Sequence, residues 1–416
     1  MVRRVLLATL ALVHLVHAQN IGDIPEIHPK LQTWKCTTKD GCTQQETSVV
    51  LDALSHPLHE VGNPGISCGD WSGLNKTLCA TDEDCAKNCV LDGVDYASRG
   101  VSTNGDKLVL HQYLQSNNET TVASPRVYLL DENGKNYDML RLLNQELSFD
   151  VDVSSLVCGM NGALYLSEML ESGGRSELNP AGAQYGTGYC DAQCPATPLI
   201  NGVANVEAKG ACCNEMDLWE ANALSTGYTP HACNISRVYE CSGEECGNEG
   251  VCDKSGCGFN PYALGDHDYY GYQKLVDTSK RFTVVTQFIA DNDEEEESLV
   301  QVRRLYVQDG TVIQNAVVET AGMEIDSLTD EYCQSASRFQ EMGGLKQMGK
   351  AISRGMVLVF SIWNDSGAFM NWLDSGDAGP CNSTEGDPKL IQAQHPGTSV
   401  SFSNIRWGDI GSTYVN

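Results

Sequence analysis

The sequence predicts an all-β fold in which two large antiparallel sheets pack face to face and long loops connect the strands. Three observations carry this prediction. Short β-rich runs recur along the chain, several of them alternate apolar and polar side chains, and turn-forming dipeptides lie between neighbouring runs. The runs are residues 107–114, 126–130, 146–153, 281–290, 299–308, 356–363 and 399–407.

The run 146–153 shows the alternation most clearly. Its apolar and polar residues fall on opposite faces, as expected for a half-buried strand. The apolar face consists of Leu147, Phe149, Val151 and Val153, and the polar face of Glu146, Ser148, Asp150 and Asp152. Asn133-Gly134 and Asp309-Gly310 each lie between two strand-like runs, which predicts hairpin turns of type I′.

Helical signals are sparse, and only residues 344–354 show a helical pattern. The length of 416 residues would permit two or three domains, but no Ser/Thr/Pro-rich linker or break in composition divides the chain. We therefore expect a single domain over residues 19–416, with no linker or further module after it.

The N-terminus reads MVRRVLLATLALVHLVHAQ, with two arginines, an apolar run, and small residues Val16 and Ala18 spaced as in a cleavage site. This pattern predicts a secretory signal peptide at residues 1–18 and a secreted, extracellular protein. The apolar run is too short for a membrane span. A buried N-terminal helix is the alternative interpretation.

The chain contains 18 cysteines, an even number with close spacings. In a secreted protein this pattern predicts disulfides. Cys241 and Cys246, with Cys252 and Cys257, superficially suggest a zinc site, but a histidine partner pattern is missing. Asn-x-Ser/Thr sequons, which fit the same setting, occur at Asn75, Asn118, Asn234, Asn364 and Asn382.

The formal net charge is −28 at pH 7. Such a surface repels nucleic acid and anionic membranes, so we expect neither as a partner and look for a neutral or cationic one. The acidic run 291–297 fits a solvated hairpin tip. A calcium loop is the alternative there, but the ligand spacing is missing.

The segment GACCNEMDLWEAN, residues 210–222, places three acids within six residues. On a helix Glu215, Asp217 and Glu220 would not converge, because offsets of two and five residues turn the side chains by about 200° and 140°. On a regular strand Glu220 would point away from the other two. A β-bulge between Asp217 and Glu220 returns all three to one face, with Met216 in the core and Leu218 and Trp219 around the bulge.

Three like charges on one face must be offset, yet no lysine or arginine lies between Gly210 and Arg237. A solvated acidic strand is one interpretation, but Leu218, Trp219 and the flanking cysteines anchor the segment in packed structure. The other is functional: neighbouring carboxyl groups titrate apart, one ionised and one protonated. That pair is what glycoside hydrolysis needs.

The segment CCNEMDLWEAN followed by TPH resembles the signature of glycoside hydrolase family 7, the fungal secreted cellulases. The resemblance covers nearly the whole mature chain through the motifs CTQQETSVVLD, KNCVLDGVDYASRGV, SPRVYLLDENGKNY, QELSFDVDVSSLVCGMNGALYLSEM, YGTGYCDAQCP, FTVVTQF, GMVLVFSIWND and FSNIRWGDIGST. It implies a β-jelly-roll sandwich of two curved sheets with disulfide-tied loops and a substrate cleft.

The resemblance also implies residue roles. Glu215 would be the nucleophile, Asp217 its helper through a hydrogen bond, and Glu220 the general acid/base, with His231 beside it. Trp363 and Trp372 match sugar platforms at the −2 and +1 subsites, and Asn161, Tyr165, Asp191 and Gln193 match positions that hydrogen-bond the glucan. No metal or cofactor is expected. Nine disulfides are implied: Cys36–Cys42, Cys68–Cys89, Cys79–Cys85, Cys158–Cys381, Cys190–Cys213, Cys194–Cys212, Cys233–Cys252, Cys241–Cys246 and Cys257–Cys333.

Family members divide into cellobiohydrolases with a roofed tunnel and endoglucanases with an open cleft. Residues 208–211 and 372–386 form short connections where tunnel enzymes carry insertions, and Ala263 stands where they place an arginine. We therefore expect a retaining endo-β-1,4-glucanase that acts as a monomer on cellulose, mixed-linkage glucan or related β-glucans such as xylan or xyloglucan, with a pH optimum in the acid range. Cellobiohydrolase action is the main alternative.

Two departures qualify this expectation. Ser55 and Pro57 stand where relatives place distal aromatic platforms, which predicts weak binding at the far end of the cleft. The excursion 233–257 is long enough to cover part of the cleft. A catalytically inactive glucan-binding protein and a disulfide-rich wall protein are the remaining alternatives, and the intact Glu215 and Glu220 argue against both.

Overall fold

The computed structural model describes residues 20–117, 119–291, 297–320 and 322–414. The expected signal peptide 1–18, the sequon at Asn118 and most of the acidic run 291–297 lie outside these residues. Within the described part of the chain, no helix is long and apolar enough to cross a membrane.

Strands dominate the described residues. In chain order the first are β1 Asn20–Ile21, β2 Thr33–Thr37, β3 Gly41–Gln45, β4 Ser48–Leu51, β5 Leu58–Glu60, β6 Asn63–Ser67, β7 Gly69–Asp70, β8 Gly73–Leu74, β9 Cys89–Leu91, β10 Val101–Asn104, β11 Lys107–His111, β12 Tyr113–Ser116, β13 Glu119–Val122, β14 Arg126–Leu130, β15 Met139–Leu140, β16 Gln145–Asp152 and β17 Met160–Ser167. They are followed by β18 Leu199–Ile200, β19 Val203–Ala204, β20 Gly210–Cys212, β21 Glu215–Ala221, β22 Thr226–His231, β23 Tyr239–Cys241, β24 Tyr270–Gly271, β25 Val276–Asp277, β26 Phe282–Ala290, β27 Leu299–Gln308, β28 Thr311–Gln314, β29 Val318–Thr320, β30 Met323–Ile325, β31 Ser327–Thr329, β32 Met356–Asn364 and β33 Ser399–Asp409.

Two large sheets organise these strands. One has the order β10-β11-β33-β16-β26-β27-β28, with β2, β3 and β31 attached at its sides, and the other has the order β22-β21-β17-β32-β14-β4, with β15 beside β32. Pairing within both sheets is antiparallel except between β2 and β33, which run parallel. We call the second sheet the cleft sheet, because it carries the site described below.

The two sheets bury one shared core between them. Phe149 of β16 packs edge-on against Trp219 of β21 with ring centroids 6.2 Å apart, and Phe360 of β32 lies 5.5 Å from Phe402 of β33. These four rings come from facing sheets and are fully buried. The expected all-β sandwich is thereby confirmed.

The run 146–153 forms β16, but the expectation of a solvated polar face is wrong. Glu146 and Ser148 are as buried as Leu147. The C-terminal segment covers this face, since the Thr413 N–H donates to Glu146 Oε1 at 2.8 Å. Gln287 of the neighbouring strand β26 donates through Nε2 to Glu146 Oε2 at 2.9 Å. A buried carboxylate with this many donors avoids the cost of an unpaired charge.

The two predicted hairpin turns differ in outcome. Asp309 and Gly310 both have positive φ, at 50° and 76°, and connect β27 to β28 as a two-residue turn. At Asn133-Gly134 only Gly134 has positive φ, so a type I′ turn there is wrong. Asp131 directs the chain instead, because its C=O accepts from the Gly134 N–H and its Oδ1 accepts from the Lys135 N–H.

The predicted helix occupies Gly344–Arg354, as expected, but other short helices also form. In chain order the α-helices of the described residues are α1 Asp82–Asn88, α2 Ser337–Glu341, α3 Gly344–Arg354, α4 Asn371–Asp374 and α5 Pro388–Gln394. Local caps explain two of the missed ones. Thr81 Oγ1 accepts from the Asp84 N–H ahead of α1, and Asp387 Oδ1 accepts from the Lys389 N–H ahead of α5, where Pro388 fits the first turn.

All nine implied disulfides are present, so that prediction is confirmed. They are Cys36–Cys42, Cys68–Cys89, Cys79–Cys85, Cys158–Cys381, Cys190–Cys213, Cys194–Cys212, Cys233–Cys252, Cys241–Cys246 and Cys257–Cys333. Two of them, Cys190–Cys213 and Cys194–Cys212, tie the loop before β18 to the residues that lead into β21.

Candidate active site

The acidic segment forms β21, the second strand of the cleft sheet. Its register against β22 pairs Asp217 with Thr229 and Glu220 with Gly227, so three steps on β21 match two on β22. This is the β-bulge that the sequence predicts. Met216, Leu218 and Trp219 are fully buried, whereas the carboxyl groups of Glu215, Asp217 and Glu220 line one cleft. The bulge therefore places all three acids on one face.

Glu215 stands at the start of β21. Its Oε2 accepts the Ala192 backbone N–H at 3.0 Å, and only 8% of the residue is exposed. A backbone donor stabilises the ionised form of a carboxyl group. The Cys190–Cys213 and Cys194–Cys212 bridges hold Ala192 next to β21, so this donor has a fixed position.

Glu220 is held from the neighbouring strand β17. Asn161 Nδ2 donates to Glu220 Oε1 at 2.9 Å, and Asn161 Oδ1 accepts from the Ala221 N–H at 3.1 Å. The second bond fixes the amide orientation, so the NH₂ group must face Glu220. Asn161 itself is fully buried and does not line the cleft. Its expected hydrogen bond to the glucan stays a prediction.

Asp217 is paired with His231. Asp217 Oδ2 lies 3.1 Å from His231 Nε2, and His231 Nδ1 donates to the Asp253 C=O at 3.0 Å. The expected hydrogen bond from Asp217 to Glu215 requires a shared proton and stays a prediction. Gly256 crosses close over this pair: a Cβ at that position would lie 2.8 Å from His231 Cε1 and 2.3 Å from Thr229 Cγ2, and its φ is +70°.

Burial and like charge raise the pKa values of the acids. Burial, with added repulsion from Asp217, raises the pKa of Glu220 to about 8 against the opposing His231 charge and Asn161 bond. Burial and the carboxylates of Asp217 and Asp191 raise the pKa of Glu215 well above its ordinary range, and the Ala192 N–H opposes this. Burial alone would lower the pKa of His231, but the Asp217 contact outweighs it and raises that pKa to about 9.

A network of polar and aromatic side chains extends the site toward β14. Tyr189 Oη donates to Asp191 Oδ2 at 2.7 Å, and Tyr165 Oη lies 2.9 Å from Tyr189 Oη. The Arg126 guanidinium lies 3.4 Å from the centroid of the Tyr189 ring and 2.7 Å, through Nη2, from Asp52 Oδ2. Tyr165 and Asp191 thus both line the cleft, and their expected hydrogen bonds to the glucan stay predictions.

Sequence reasoning missed Arg126, Tyr189 and Asp52. Arg126 gave one signal: it is a lone cation at the start of the apolar strand β14. The contacts of Tyr189 and Asp52 with Arg126 join residues far apart in the chain, so no local sequence pattern predicts them.

The cleft has a volume of about 1230 Å³ and crosses the strands of the cleft sheet. The Trp363 and Trp372 rings both line it, with centroids 6.2 Å apart and planes tilted by 31°. Trp372 is 47% exposed. Gln193 also lines the cleft, and its Nε2 donates to the Lys254 C=O while Lys254 Nζ donates to the Gln193 C=O, at 2.9 and 2.8 Å.

The short connection 208–211 leaves the cleft open at the place where tunnel enzymes are expected to carry an insertion. Asn205 closes a tight turn, with Nδ2 donating to the Lys209 C=O and Oδ1 accepting from the Lys209 N–H. Of the described residues between 194 and 214, none lines the cleft. Ala263 does line it, and the excursion 233–257 contributes Lys254 and Ser255 to the wall.

Behind the acids lies Arg304 of β27, which belongs to the opposite sheet. It is fully buried, and its Nη2 donates to the C=O of Leu218, the residue inside the bulge. Its guanidinium lies 4.4 Å from the Tyr228 ring centroid. The bulge interrupts the strand ladder, and Arg304 satisfies the carbonyl at this interruption.

Metal-ligand groupings in the described part of the chain all contain cysteines that form disulfides. They are Cys68, Cys79 and Cys89; Cys194, Cys212 and Cys241; and Cys158 and Cys381 with Asp374. Because a metal binds the thiolate and each of these sulfurs is bonded in a disulfide, none of these groupings offers thiolate ligands. The zinc interpretation of Cys241, Cys246, Cys252 and Cys257 fails for the same reason.

An aromatic-lined cleft across a β-sandwich, with a pair of carboxyl groups on one strand, defines a glycoside hydrolase. The chain belongs to glycosyl hydrolase family 7, whose family model matches residues 21–414.

Individual relatives agree with this membership. A protein of Aspergillus terreus named probable endo-beta-1,4-glucanase celB is 62% identical over 416 residues, which cover 100% of this chain and 99% of the relative. The native endocellulase EGI of Humicola insolens superposes with a TM-score of 0.91 at 48% identity, covering 95% of this chain and 100% of that one. A family 7 cellobiohydrolase of Daphnia pulex superposes with a TM-score of 0.88 at 38% identity, covering 95% and 100%.

Proposed function

We propose that the protein is a retaining endo-β-1,4-glucanase that hydrolyses internal bonds of cellulose and related β-glucans by double displacement. The observation that carries this proposal is the bulge in β21, which places Glu215 and Glu220 on one face of an open, aromatic-lined cleft. The Aspergillus terreus and Humicola insolens relatives, named as endoglucanases, support the same activity.

Glu215 and Glu220 divide the chemistry between them. In the first step the Glu215 carboxylate attacks the anomeric carbon, the glycosidic C–O bond breaks, and the Glu220 proton passes to the departing oxygen. In the second step Glu220, now ionised, takes a proton from water, which attacks the anomeric carbon and releases Glu215. The Ala192 N–H favours the ionised form of Glu215, although burial and neighbouring carboxylates raise the pKa of Glu215 as well as that of Glu220.

Asp217, His231 and Asn161 position these two acids. His231 carries a positive charge below about pH 9, because Asp217 raises its pKa, and this charge acts on the carboxyl groups of Asp217 and Glu220. It limits the repulsion that would otherwise keep Glu215 protonated. Asn161 holds one oxygen of Glu220 and leaves the other oxygen free to carry the proton.

Tyr165, Asp191, Gln193, Trp363 and Trp372 form the binding surface for the glucan. Tryptophan rings offer flat apolar faces, and the polar groups offer hydrogen bonds to hydroxyls, which together suit a neutral sugar chain. The assignment of Trp363 and Trp372 to the −2 and +1 subsites belongs to this proposal.

The protein acts outside the cell as one catalytic domain over residues 19–416, as a monomer. Nine disulfides support an oxidising compartment. The shared core of the two sheets supports a single domain.

The test compares viscosity loss with reducing-end release on carboxymethyl cellulose for the wild type, Glu215→Gln and Glu319→Gln. Glu319 is an exposed glutamate of β29 that does not line the cleft, so it is the matched control. For the wild type and the control we expect a rapid fall in viscosity with the release of few reducing ends. For Glu215→Gln we expect no fall in viscosity and no release of reducing ends. The first-formed anomer of a soluble oligosaccharide, followed by proton NMR, should keep the β configuration.

Slow viscosity loss with abundant cellobiose would establish cellobiohydrolase action instead. Inactivity of the wild type with retained cellulose binding would establish a binding protein. An α anomer formed first would exclude the double displacement.

A further inference from the structure

Trp71 lies in the same cleft as the acids, although sequence reasoning gave it no role. Its side chain lines the cleft and 52% of the residue is exposed. Single exposed apolar residues are common and need no explanation. Trp71 differs because its indole is at the wall of the site, where a bound chain could cover it.

The hairpin that carries Trp71 is fixed. Strands β7 and β8 pair Asp70 with Gly73, so Trp71 and Ser72 form a two-residue tip. Asp70 Oδ1 accepts from the Ser72 N–H at 2.8 Å and from the Ser72 hydroxyl at 2.5 Å. The Cys68–Cys89 bridge anchors the hairpin at its base. These bonds hold the hairpin backbone in place, so little conformational entropy of the loop is lost when a ligand binds to the indole.

The indole also rests on Arg126. The Arg126 guanidinium lies 5.4 Å from the Trp71 ring centroid and 3.4 Å from the Tyr189 ring centroid, so one cation bridges two aromatic rings. Asp52 holds the guanidinium from below at 2.7 Å. Trp71 thus continues the row Asp191, Tyr189, Arg126 outward along the cleft.

The position is distant from the bond to be cleaved. The cleft sheet runs β21-β17-β32-β14, and neighbouring strands are about 4.8 Å apart, so the backbone of β14 lies about 14 Å from that of β21, which carries the acids. Val122, Ala123 and Ser124 line the cleft at this same end. Neither Ser55 nor Pro57 is among the described residues that line it.

We propose that Trp71, supported by Arg126, is a distal sugar-stacking platform that selects long β-glucan chains. This inference rests on the proposed glucanase function and departs from the expectation that the far end of the cleft binds weakly. A chain long enough to reach β14 gains a stacking contact on the indole, whereas a short oligosaccharide held at the acids does not. Because the contact is made equally in the ground state and the transition state, it lowers KM and leaves kcat unchanged.

The test measures kcat and KM on cellotriose and cellohexaose for the wild type, Trp71→Ala, Trp71→Phe and Tyr272→Ala. Tyr272 is a 46% exposed aromatic that does not line the cleft, which makes it the matched control. We expect Trp71→Ala to lower kcat/KM on cellohexaose about tenfold through KM and to leave cellotriose unchanged. Trp71→Phe should retain most of the wild-type value, because it keeps an aromatic face.

Thermal unfolding of each variant separates binding from folding. Equal losses on both substrates, or a loss in kcat alone, would mean that Trp71 acts through the packing of Arg126 and would overturn the proposal. Unchanged kinetics on cellohexaose in Trp71→Ala would overturn it as well. Inactivity of the wild type on both substrates would refute the glucanase function itself, and the inference with it.

Discussion

Asn161 illustrates how much one buried residue decides at this site. Both ends of its amide are occupied, by the Ala221 N–H and by Glu220 Oε1, so it controls where Glu220 points. His231 does the same for Asp217 while adding a positive charge. The chemistry of each acid is therefore set by neighbours that do not themselves react.

The raised pKa values predict the pH dependence of activity. Glu220 must be protonated, so activity falls as pH rises through its pKa of about 8. Glu215 must be ionised, so activity falls as pH drops through its pKa, which burial raises above the ordinary value of 4.5. We expect a bell-shaped profile of kcat/KM whose alkaline limb reports Glu220 and whose acid limb reports Glu215.

This profile is measured on a soluble cello-oligosaccharide between pH 4 and 9. The Glu319→Gln control should superpose on the wild type. A flat profile, or an alkaline limb near pH 5, would contradict the assignment of Glu220 as a buried acid.

Gly256 gives a second prediction at this scale. Gly256→Ala would push against the His231 ring and Thr229, so we expect His231 to be displaced and kcat to fall about tenfold or more. Gly265→Ala is the matched control, because Gly265 also has positive φ, at +98°, but has no atom within 4 Å of an added Cβ. Equal effects of the two substitutions would show that backbone strain alone is responsible.

At the scale of elements, the bulged strand β21 depends on both sheets. Its acids face the cleft, whereas the carbonyl of Leu218 faces the core and is satisfied by Arg304 from β27. Nε and Nη1 of Arg304 have no hydrogen-bond partner among the described residues, and the aromatic rings of Tyr228, Trp219 and Tyr306 surround its guanidinium. Burying a guanidinium with unpaired N–H groups costs free energy. We infer that the Leu218 carbonyl in the bulge needs a strong hydrogen-bond donor.

We therefore expect Arg304→Met to lower kcat about 10²-fold with little change in KM, since misplacing Glu220 affects the reaction more than binding. Arg304→Lys keeps a donor and should restore part of the loss. Kinetics on cellohexaose and the alkaline limb of the pH profile report the effect. A proportional loss of folded protein with an unchanged kcat per folded molecule would contradict a positioning role.

At the scale of the whole molecule, the disulfides stabilise the fold largely because they lower the conformational entropy of the unfolded chain. Cys158–Cys381 spans 223 residues and Cys36–Cys42 spans 6. Chain-entropy arguments assign about 5 kcal/mol to the first bridge and about 2 kcal/mol to the second. The long bridge also ties the residues before β17 to the loop after α4, near Trp372.

Replacing both cysteines of a bridge by serine tests this difference. The Cys158→Ser/Cys381→Ser double variant should lose more free energy of unfolding in guanidinium than the Cys36→Ser/Cys42→Ser variant. Unfolding rates replace the free energies if refolding is incomplete. Equal losses would mean that native packing, and not loop closure, determines the contribution.

The sequence predicted the parts of this structure that local pattern controls. The bulge between Asp217 and Glu220 follows from the spacing of the acids, and the strands follow from alternation. It did not predict the covered face of β16 or the Trp71–Arg126–Tyr189 row, because those depend on segments distant in the chain. The helices α1 and α5 were missed because they are short and rest on single caps at Thr81 and Asp387.

The position of β32 and β33 affects how the chain must be made. β32 lies between β14 and β17 in the cleft sheet, and β33 lies between β11 and β16 in the other, although both come late in the chain. A ribosome-bound or partly exported chain that ends before Met356 would thus leave both sheets split, with unpaired edges open to aggregation. Neither sheet can be completed until β32 and β33 have been synthesised. We therefore expect binding by chaperones and loss of protein to aggregation to be greatest just before these strands are available.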